Sequence, residues 1–508
     1  MTDELLRIAF GHRAVASTEA IGTTLTVSDA ALQADASIVI DVYDLDHPVH
    51  PAGHLGWWKF RMAAASPVEI RLRVDASAVE ATLANEPPTQ LWLNPAPPQY
   101  RRLLLNAVVR SNTTNAILAL DRIAAVPGED ALVEFRAAFD RDWSSPRLAP
   151  SPYIPDPGQT IHIVSRAIFQ RDAVGELCLD LYRMLRQNRI PVRMHAESCD
   201  LTINDIVEPQ NLLHERIGPA DQVLYFYSQH DPLLEPLLAA DCARKCVYFH
   251  GITDPDLVRV FDPELSVVCA KAIAELPRLA GFDRFAANSR NSASTLARAL
   301  GPERAPDIGV IPPQIAPGPA ARHEDRAPRQ DALLSVQQMR PHKKVEDVLR
   351  LFAAYREASP SAQCWIVGRA PNRAYRDYLD WVERKELGLP AGAVRWLGSV
   401  GPAELADLYR SASAYVSMSE DEGFCLPLFE AMRNGLPVFA YGVPAVAETL
   451  GGSGLRFATK DFPHLAEHLA AVLADPARRS ALLAGQAQRV DDLLPRMSGT
   501  GFFELLSP

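Results

Sequence analysis

One stretch, residues 413–448, constrains the fold more than any other part of the chain. It opens with a β-rich apolar run at 414–417, continues through an acidic, glycine-containing turn at 419–423, and then shows a helical pattern at 426–433. An Asn-Gly pair ends that helix, and a second buried strand begins over 436–440. We therefore expect a β-α-β unit whose loop lies at the carboxyl end of a strand, where open α/β sheets bind ligands.

The loop of this unit is suited to a phosphorylated ligand. The backbone N–H groups of Gly423, Phe424 and Cys425 lie at the positive end of the helix dipole, which favours a phosphate or pyrophosphate. Glu422 and Glu430 are about two helical turns apart, so both carboxylates can face one elongated ligand. Because carboxylates repel phosphates, they must hold hydroxyl groups. A diphosphate with a nucleotide ribose on one side and a hexose on the other fits this pattern.

The wider motif, E-G-F-x-L-P-x-x-E-A-M-x-x-G-x-P-V over residues 422–438, resembles the E-x7-E signature of family 4 retaining glycosyltransferases, which have the GT-B fold. The resemblance implies that Glu430 binds the ribose and that Glu422 contacts the transferred sugar. It also implies that the intervening amides, from Gly423 to Leu426, bind phosphate. Two glutamates at this spacing alone are typical of a solvated helix face; the glycine, the prolines and the flanking strands favour the family.

Length and composition limit the alternatives. A chain of 508 residues is too long for one core and predicts roughly three domains. The net charge of -11 argues against general nucleic-acid binding, and seven cysteines without zinc-like spacing indicate reduced thiols. No apolar run approaches the ~20 residues needed to cross a bilayer, and the first residues lack a signal pattern. We expect a cytoplasmic protein.

Residues 1–157 are expected to form a β-rich accessory domain, sandwich-like, ending in a proline-rich linker at 150–157. The predicted strands are short and partly alternating, and include 37–43, 68–74, 90–93 and 116–120. Trp57 and Trp58 would point to opposite faces of a strand. One of them could stack on a sugar, or the two could fill the core and an interdomain contact.

Residues 158–325 are expected to form an N-terminal Rossmann-like domain on the acceptor side. A strand at 160–164, a helix at 175–187, and strands at 223–227 and 245–249 alternate as in such a fold.

His250 follows the last of these strands, at a carboxyl end where ligands bind. The segments 221–228, 248–255 and 285–292 resemble, in the same order, acceptor-domain segments of bacterial surface-polysaccharide mannosyltransferases. This resemblance implies that His250 faces the donor sugar. Without it, a structural histidine is the simpler interpretation.

Residues 326–508 are expected to form the C-terminal Rossmann-like domain that binds the nucleotide sugar, after a polar hinge at 316–331. It begins with a strand at 332–336 and a helix at 345–356. The helical segment at 462–494 is expected to cross back to the N-terminal half, as the GT-B resemblance implies.

The segment after the first of these strands resembles the family's G-R-x-x-P-x-K motif, whose cations neutralise the donor diphosphate. Lys343 matches, together with its proline, but Gln337 and Gln338 occupy the glycine and arginine positions. Arg340 is therefore a candidate for the missing cation, and a solvated cluster is the alternative. A fixed cation would stabilise the charge that a leaving diphosphate gains.

Two more strand ends line the nucleotide pocket in the family. They correspond here to Gly368 and Arg369, and to Val400.

These features predict a metal-independent hexosyltransferase, and the family resemblance implies that it retains the anomeric configuration. No Asp-x-Asp motif is placed at a strand end in the cleft halves, and 254–256 is expected to be a loop, so no cofactor is expected. The resemblance to mannosyltransferases favours GDP-mannose as the donor of mannose, and implies a glycan or lipid-linked glycan as the acceptor, in surface polysaccharide synthesis. A catalytically silent GT-B subunit, or another sugar-nucleotide enzyme such as an epimerase, is the alternative.

A basic face predicts a peripheral contact with an anionic membrane at the cytoplasmic side. Arg183, Arg186, Arg189 and Arg193 lie on or just after the helix at 175–187, although the chain as a whole is acidic. A solvated face with salt bridges to nearby carboxylates is the alternative.

Overall fold

A computed structural model describes strand segments within residues 9–134 and the residues 158–507 with short gaps. Those gaps are 171, 200–202, 204–205, 210–212, 305–306 and 315–329. The predicted linker at 150–157 lies outside the described residues, as does the predicted hinge except for its last two residues.

The chain divides into two compact units, one of residues 1–145, 167–176 and 193–216, and one of residues 146–166, 177–192 and 217–508. The predicted boundaries after residues 157 and 325 stay a prediction.

The described segments of residues 9–134 are β-strands. They are β1 Ala9–Ala16, β2 Ala20–Ser28, β3 Ala36–Asp44, β4 His54–Arg61, β5 Val68–Asp75, β6 Val79–Leu83, β7 Gln90–Leu93, β8 Leu103–Ser111, β9 Ile117–Ala125 and β10 Val133–Glu134. One antiparallel sheet has the order β1-β2-β5-β6 and another the order β10-β9-β8-β3-β4-β7. The predicted strands are confirmed; the sandwich and the roles of Trp57 and Trp58, both in β4, stay predictions.

The next part of the chain alternates strands and helices. Its elements are β11 Ile161–Ser165, β12 Ala167–Ile168, α1 Ala173–Gln187, β13 Val192–Ala196, β14 Ser198–Cys199, β15 Val207–Pro209, α2 Leu213–Arg216, β16 Gln222–Tyr227, α3 Leu234–Ala239, β17 Arg244–Phe249, α4 Pro255–Val258, α5 Pro263–Glu275, β18 Arg284–Ala287, α6 Arg290–Leu300 and β19 Ile308–Val310. A 3-10 turn at Leu276–Gly281 follows α5.

Within the larger unit, β11, β16, β17, β18 and β19 lie side by side in this order, all parallel; we call them the first sheet. All six residues of β16 are buried. Such a continuous buried run is typical of a parallel strand with both faces covered.

The second sheet and its helices follow residue 330. The elements are β20 Ala332–Val336, α7 Val345–Ala358, β21 Gln363–Val367, α8 Arg373–Trp381, β22 Val394–Gly398, α9 Pro402–Ser411, β23 Ala414–Ser417, α10 Leu426–Arg433, β24 Val438–Tyr441, α11 Pro444–Leu450, β25 Leu455–Phe457, α12 Phe462–Ala474, α13 Pro476–Leu493 and α14 Thr500–Leu506. A 3-10 turn at Pro341–Lys343 precedes α7, a π-turn at Val382–Glu386 follows α8, and a 3-10 turn at Leu494–Met497 follows α13.

The second sheet is parallel throughout, with the order β22-β21-β20-β23-β24-β25. Leu333 and Leu334 are consecutive in β20, yet each belongs to a different buried cluster. Successive strand residues point to opposite faces, so helices must cover the sheet on both sides. The order reverses between β20 and β23, and the loops that follow these two strands flank that reversal.

Several predicted elements are confirmed and a few differ. Helix α10 and strand β20 have the predicted bounds. Helix α1 begins two residues early, because the Asp172 carboxylate accepts hydrogen bonds from the N–H groups of Val174 and Gly175. The expected loop at 254–256 is instead the start of α4, since Asp254 caps the helix and Pro255 occupies its first turn.

The C-terminal segment contacts the first sheet further along the chain than expected. Helix α12 contributes Leu469 and Val472 to a core cluster of the second sheet. The contact is made by α14 instead: the ring of Phe502 lies 5.0 Å from that of Tyr248, and Arg244 donates to the Leu506 carbonyl at 2.9 Å. None of the described helices combines the length and the apolar character that crossing a bilayer requires.

We expect Phe502→Ala to lower the temperature of the first thermal unfolding transition. Phe502 is fully buried between α14 and the first sheet, so truncating the ring leaves a cavity that costs about 3–5 kcal/mol. Differential scanning calorimetry measures the shift. Glu504→Ala on the exposed side of the same helix is the matched control, and equal melting of both variants would contradict the docking role of α14.

Candidate functional site

The candidate site lies where the strand order of the second sheet reverses. The loop after β20 carries the turn at Pro341–Lys343, and the loop after β23 carries residues 419–423, which we call the acidic turn. Because both loops leave the carboxyl ends of neighbouring strands, they meet in space. Their charged side chains are therefore neighbours although they are about 80 residues apart in sequence.

Lys343 and Glu422 form an ion pair at this position. The Lys343 Nζ lies 2.8 Å from Glu422 Oε2, and the side chains are 19% and 9% exposed. Burial lowers the pKa of the Lys343 amine, but Glu422 together with Cys425 and Asp421 outweighs it, so the pKa is raised above its ordinary value. The site thus holds a fully protonated lysine next to a carboxylate.

The chain enters α10 through a strained residue. Cys425 precedes the helix with φ 64° and ψ 64°, a left-handed conformation that is uncommon outside glycine. Among the described residues, none accepts a hydrogen bond from the N–H groups of Gly423, Phe424 or Cys425. Burial raises the pKa of the Cys425 thiol, which makes it an inert packing group. The strained turn presents main-chain donors instead.

Gly423 is a point of close approach between the acidic turn and the loops of the first sheet. A Cβ atom at Gly423 would lie 2.5 Å from Asn288 Nδ2 and 2.7 Å from the His250 carbonyl oxygen. The Asn288 side chain in turn donates to that carbonyl at 2.8 Å. Only glycine fits here. The absence of a side chain at Gly423 therefore permits this contact, and the Gly423 N–H is also the first of the three main-chain donors before α10.

His250 lies at the end of β17, where the sequence placed it. Its main-chain carbonyl contacts Asn288, and its ring centroid is 6.2 Å from that of Tyr248. The next residue, Gly251, has a φ of 90° that other residues rarely adopt. His250 therefore belongs to the loop that meets Gly423, and its contact with a sugar stays a prediction.

Asp421 joins the acidic turn to the same loop. The Thr253 side chain and the Asp254 main chain lie close enough to favour its ionised form. Burial raises the pKa of Asp421, while Lys343, Thr253 and Asp254 act in the opposite direction. Asp421 thus lies between the acidic turn and the loop after β17.

Glu430 lies apart from this cluster, on α10. The Tyr409 hydroxyl donates to Glu430 Oε2 at 2.9 Å. Burial raises the pKa of Glu430, and the Tyr409 hydrogen bond and the Arg433 charge only partly offset it. Among the described residues, the Tyr409 hydroxyl is the donor to this carboxylate, and its contact with a ribose stays a prediction.

Arg340 has partners other than Glu422. Its Nε donates to Gln338 Oε1 at 3.0 Å. Its Nη1 lies 3.7 Å from Oδ2 of Asp262, the residue just before α5. Gln338 therefore orients the guanidinium from the position at which the family motif has arginine. The role of Arg340 as the second cation stays a prediction.

The predicted nucleotide-pocket residues lie on loops that are joined to one another. Gly368 has φ 128°, and a Cβ atom there would lie 1.9 Å from the Gln337 carbonyl oxygen. Its N–H donates to the Gly398 carbonyl at 2.7 Å, and the Arg369 carbonyl accepts from the Met339 N–H at 2.8 Å. Val400 follows two residues after Gly398. These loops form one platform beside Lys343, and their contact with a nucleotide stays a prediction.

The profile of the family described as Glycosyl transferases group 1 matches residues 321–488. These residues form a group 1 glycosyltransferase domain. The domain contains the Lys343–Glu422 pair, the entry to α10 and Glu430.

Curated relatives of the chain include several glycosyltransferases. O-antigen chain mannosyltransferase B of Escherichia coli is 35% identical over 117 residues, which are 23% of this chain and 30% of that protein. The D-inositol 3-phosphate glycosyltransferase of Rhodococcus opacus strain B4 is 28% identical over 254 residues, 46% of this chain and 55% of that protein. That of Actinosynnema mirum is 32% identical over 233 residues, with 43% and 55% covered. The chain spans 30% to 55% of the length of these relatives.

Two solved structures share the fold of the larger part of the chain. WaaG, described as a glycosyltransferase involved in lipopolysaccharide biosynthesis, has a TM-score of 0.51 at 15% identity and covers 68% of this chain and 100% of its own. A trehalose-6-phosphate synthase studied for glycosyltransfer with retention has a TM-score of 0.51 at 14% identity, with 68% and 98% covered. The predicted GT-B fold is confirmed for this part of the chain; the accessory domain stays a prediction.

Sequence reasoning missed several residues around the group 1 domain's site. Asn288 lies in the segment 285–292, which resembles an acceptor-domain segment. The sequence of that segment does not show which loop the Asn288 side chain will contact. Asp421 and Tyr409 gave no separate signal, because their partners, Thr253 and Glu430, are distant in sequence. Glu448, on α11, was also missed: it accepts a hydrogen bond from the main-chain N–H of Arg290 at the start of α6, which is distant in sequence.

The structure also bears on the basic face. Arg183 Nη1 lies 2.6 Å from Asp180 Oδ1, whereas Arg186 is exposed. One of the two arginines that share a helix side is therefore paired with a carboxylate. The membrane contact stays a prediction. Among the described residues, no group of three or more His, Cys, Asp or Glu side chains is placed to hold a metal ion.

We expect Glu430→Gln to stabilise the ligand-free protein at about pH 8. The pKa of Glu430 is raised in the folded state, so folding loses stability as the pH rises through that pKa, and a neutral amide avoids this loss. The gain should disappear near pH 4, around the ordinary pKa of glutamate of about 4.3. Thermal unfolding at both pH values measures it.

Glu404→Gln, on the exposed first turn of α9, is the matched control and should show no gain. A stability difference for Glu430→Gln that is the same at both pH values would show that the carboxylate is not destabilised by burial.

Proposed function

We propose that the protein is a retaining hexosyltransferase that uses a nucleoside diphosphate sugar. The favoured donor is GDP-mannose, and the acceptor a glycan or lipid-linked glycan in surface polysaccharide synthesis. The group 1 domain supports glycosyl transfer, and the relative named O-antigen chain mannosyltransferase B supports mannose and a surface glycan. The transfer is proposed to need no metal ion.

The Lys343–Glu422 ion pair carries the proposal. Glu422 immediately precedes Gly423, Phe424 and Cys425, whose N–H groups have no acceptor among the described residues, so the same turn offers a cation and main-chain donors. A diphosphate there would attract the Lys343 ammonium away from Glu422. The freed carboxylate would then accept a hydrogen bond from a hexose hydroxyl, and both charges keep a partner.

The same arrangement would stabilise the nucleoside diphosphate as it leaves the sugar. As the sugar–phosphate bond breaks, negative charge grows on the diphosphate, and Lys343 and the amides stabilise it where it develops. Under this proposal the acceptor attacks the face from which the diphosphate leaves, and the configuration at the anomeric carbon is retained. Glu430 would anchor the ribose about two helical turns away.

A catalytically silent sugar-nucleotide-binding subunit is the second candidate. Gln337 and Gln338 stand where the family motif has glycine and arginine, and Gln338 is occupied with Arg340. Incubation with a panel of nucleotide sugars separates the candidates. Release of nucleoside diphosphate, fastest from GDP-mannose, supports the transferase; binding without turnover supports the silent subunit, and an altered sugar nucleotide supports an epimerase.

We expect Lys343→Ala to lower the rate of donor turnover by ~10²–10³, the usual scale for one preorganised electrostatic contact. Because the substitution also leaves Glu422 buried and unpaired, the single variant should melt at a lower temperature than wild type. The double variant Lys343→Ala/Glu422→Gln removes both charges and should regain stability but not activity.

Lys385→Ala, an exposed lysine of the same domain, is the control for charge alone. Wild-type turnover of the Lys343→Ala variant, with an unchanged melting curve, would contradict the role of Lys343.

We expect Glu430→Gln and Glu422→Gln to act in opposite ways on nucleoside diphosphate binding. The first weakens a charged hydrogen bond to the ribose, worth roughly 1.5–3 kcal/mol, or about tenfold to a hundredfold in affinity. The second frees Lys343 from its ion pair, so affinity for the diphosphate should hold or rise while turnover falls. Isothermal titration calorimetry with GDP measures both, and the reverse pattern would overturn these assignments.

A further inference from the structure

A second charged cavity lies away from the Lys343–Glu422 pair. Its volume is about 540 Å³, and it is bordered by the start of α6, by α11, and by α13 with the turn that follows it. Charged and polar side chains dominate its lining: Arg290, Arg489, Arg496, Glu448, Asn291 and Ser294. The volume is in the range of small-molecule sites.

Three arginines line this cavity: Arg489 is half-buried, and Arg290 and Arg496 are exposed. Arg489 is fixed by its own hydrogen bonds, since Nε donates to the Thr449 carbonyl at 3.0 Å and Nη2 to the Glu448 carbonyl at 2.6 Å. Among the described residues, no carboxylate forms an ion pair with the side chain of Arg290 or Arg496. Three positive charges therefore border the cavity.

The pKa of Arg489 is consistent with this excess of positive charge. Burial is the main cause that lowers the pKa of the Arg489 guanidinium, followed by the charge of Arg496, with a further contribution from Arg290. Asp492 and Glu448 act in the opposite direction but do not restore the ordinary value. An anion in the cavity would relieve the repulsion among the arginines.

The single carboxylate of the lining is already engaged. Glu448 accepts hydrogen bonds from the Arg290 N–H at 2.8 Å and from the Asn291 N–H at 3.3 Å. Glu448 therefore already accepts from the main-chain N–H groups at the start of α6. These N–H groups are not the groups that would bind a ligand. The side chains of Arg290 and Arg496, together with Nη1 of Arg489, remain to bind a ligand from outside.

We propose that this cavity binds the phosphate group of a small phosphorylated molecule. Guanidinium groups bind phosphate oxygens with paired, planar hydrogen bonds, and they keep their charge at any physiological pH. Arg290 belongs to a helix that follows the first sheet, and Arg489 and Arg496 follow the second. A phosphate bound by all three would link α6, which follows the first sheet, to α13 and the turn after it, which follow the second sheet.

The proposal does not depend on the transfer reaction. Arg290 and Asn291, in the first turn of α6, line the cavity. Asn288, just before that helix, does not line it and instead contacts the His250 carbonyl. Substitutions on the cavity side leave Lys343, Glu422 and Glu430 unchanged. Loss of phosphate binding and loss of donor turnover can therefore be observed separately.

Isothermal titration calorimetry of the full chain with inorganic phosphate and with a hexose 6-phosphate, at constant ionic strength against chloride, tests the site. The double variant Arg290→Ala/Arg496→Ala should bind either probe about tenfold more weakly or worse. The matched control Arg373→Ala/Arg478→Ala removes two arginines whose side chains are 93% and 63% exposed, and should bind like wild type. Tighter binding of the hexose phosphate would identify an organic ligand, and equal binding would identify phosphate itself.

Two results would overturn the proposal. One is the absence of phosphate binding beyond that of chloride in the wild-type chain. The other is equal weakening in the cavity variant and the control, which would show a general charge effect. Thermal unfolding with and without GDP confirms that both variants are folded and that the nucleotide site is intact.

Discussion

The arrangement of the candidate site depends on the absence of a side chain at Gly423. A single added carbon would collide with Asn288 and with the His250 carbonyl, which are parts of the first sheet's loops. The acidic turn of the second sheet can thus touch the loop after β17 directly. Asp421, two residues before Gly423, lies close to Thr253 and Asp254 of the same loop.

The acidic turn concentrates three carboxylates, and the fold gives each one its own partner. Glu420 is paired with Lys460 at 2.7 Å and with Lys344 at 3.3 Å, and Glu422 with Lys343 at 2.8 Å. The ionised form of Asp421 is favoured instead by Lys343 and by Thr253 and Asp254 in the loop after β17. Like charges this close would repel strongly if they were buried without partners. Among the described residues, the Lys343–Glu422 pair adjoins Gly423, Phe424 and Cys425, so under the proposed function it is the pair that a bound diphosphate would exchange.

Local patterns predicted much of the second sheet correctly. Helix α10 and strand β20 have the expected bounds because their signals are local: apolar periodicity, a glycine-containing turn and an Asn-Gly stop. Asp254 shows the limit of such reasoning. Its Asp-Pro pair was interpreted as a loop, although an N-cap followed by proline is also how a helix begins.

The sequence by itself determined the GT-B fold of the larger part of the chain, and it singled out Lys343, Glu422 and Glu430. The β-α-β units were predicted from periodicity, whereas the GT-B fold and these three residues were predicted from motifs that resemble those of family 4 glycosyltransferases. Only the tertiary structure decided that Lys343 pairs with Glu422, that Glu430 pairs with Tyr409, and that α14 contacts the first sheet. Strand order and helix packing set these contacts, because they bring together side chains that are distant in sequence, and no local pattern specifies which of them will meet.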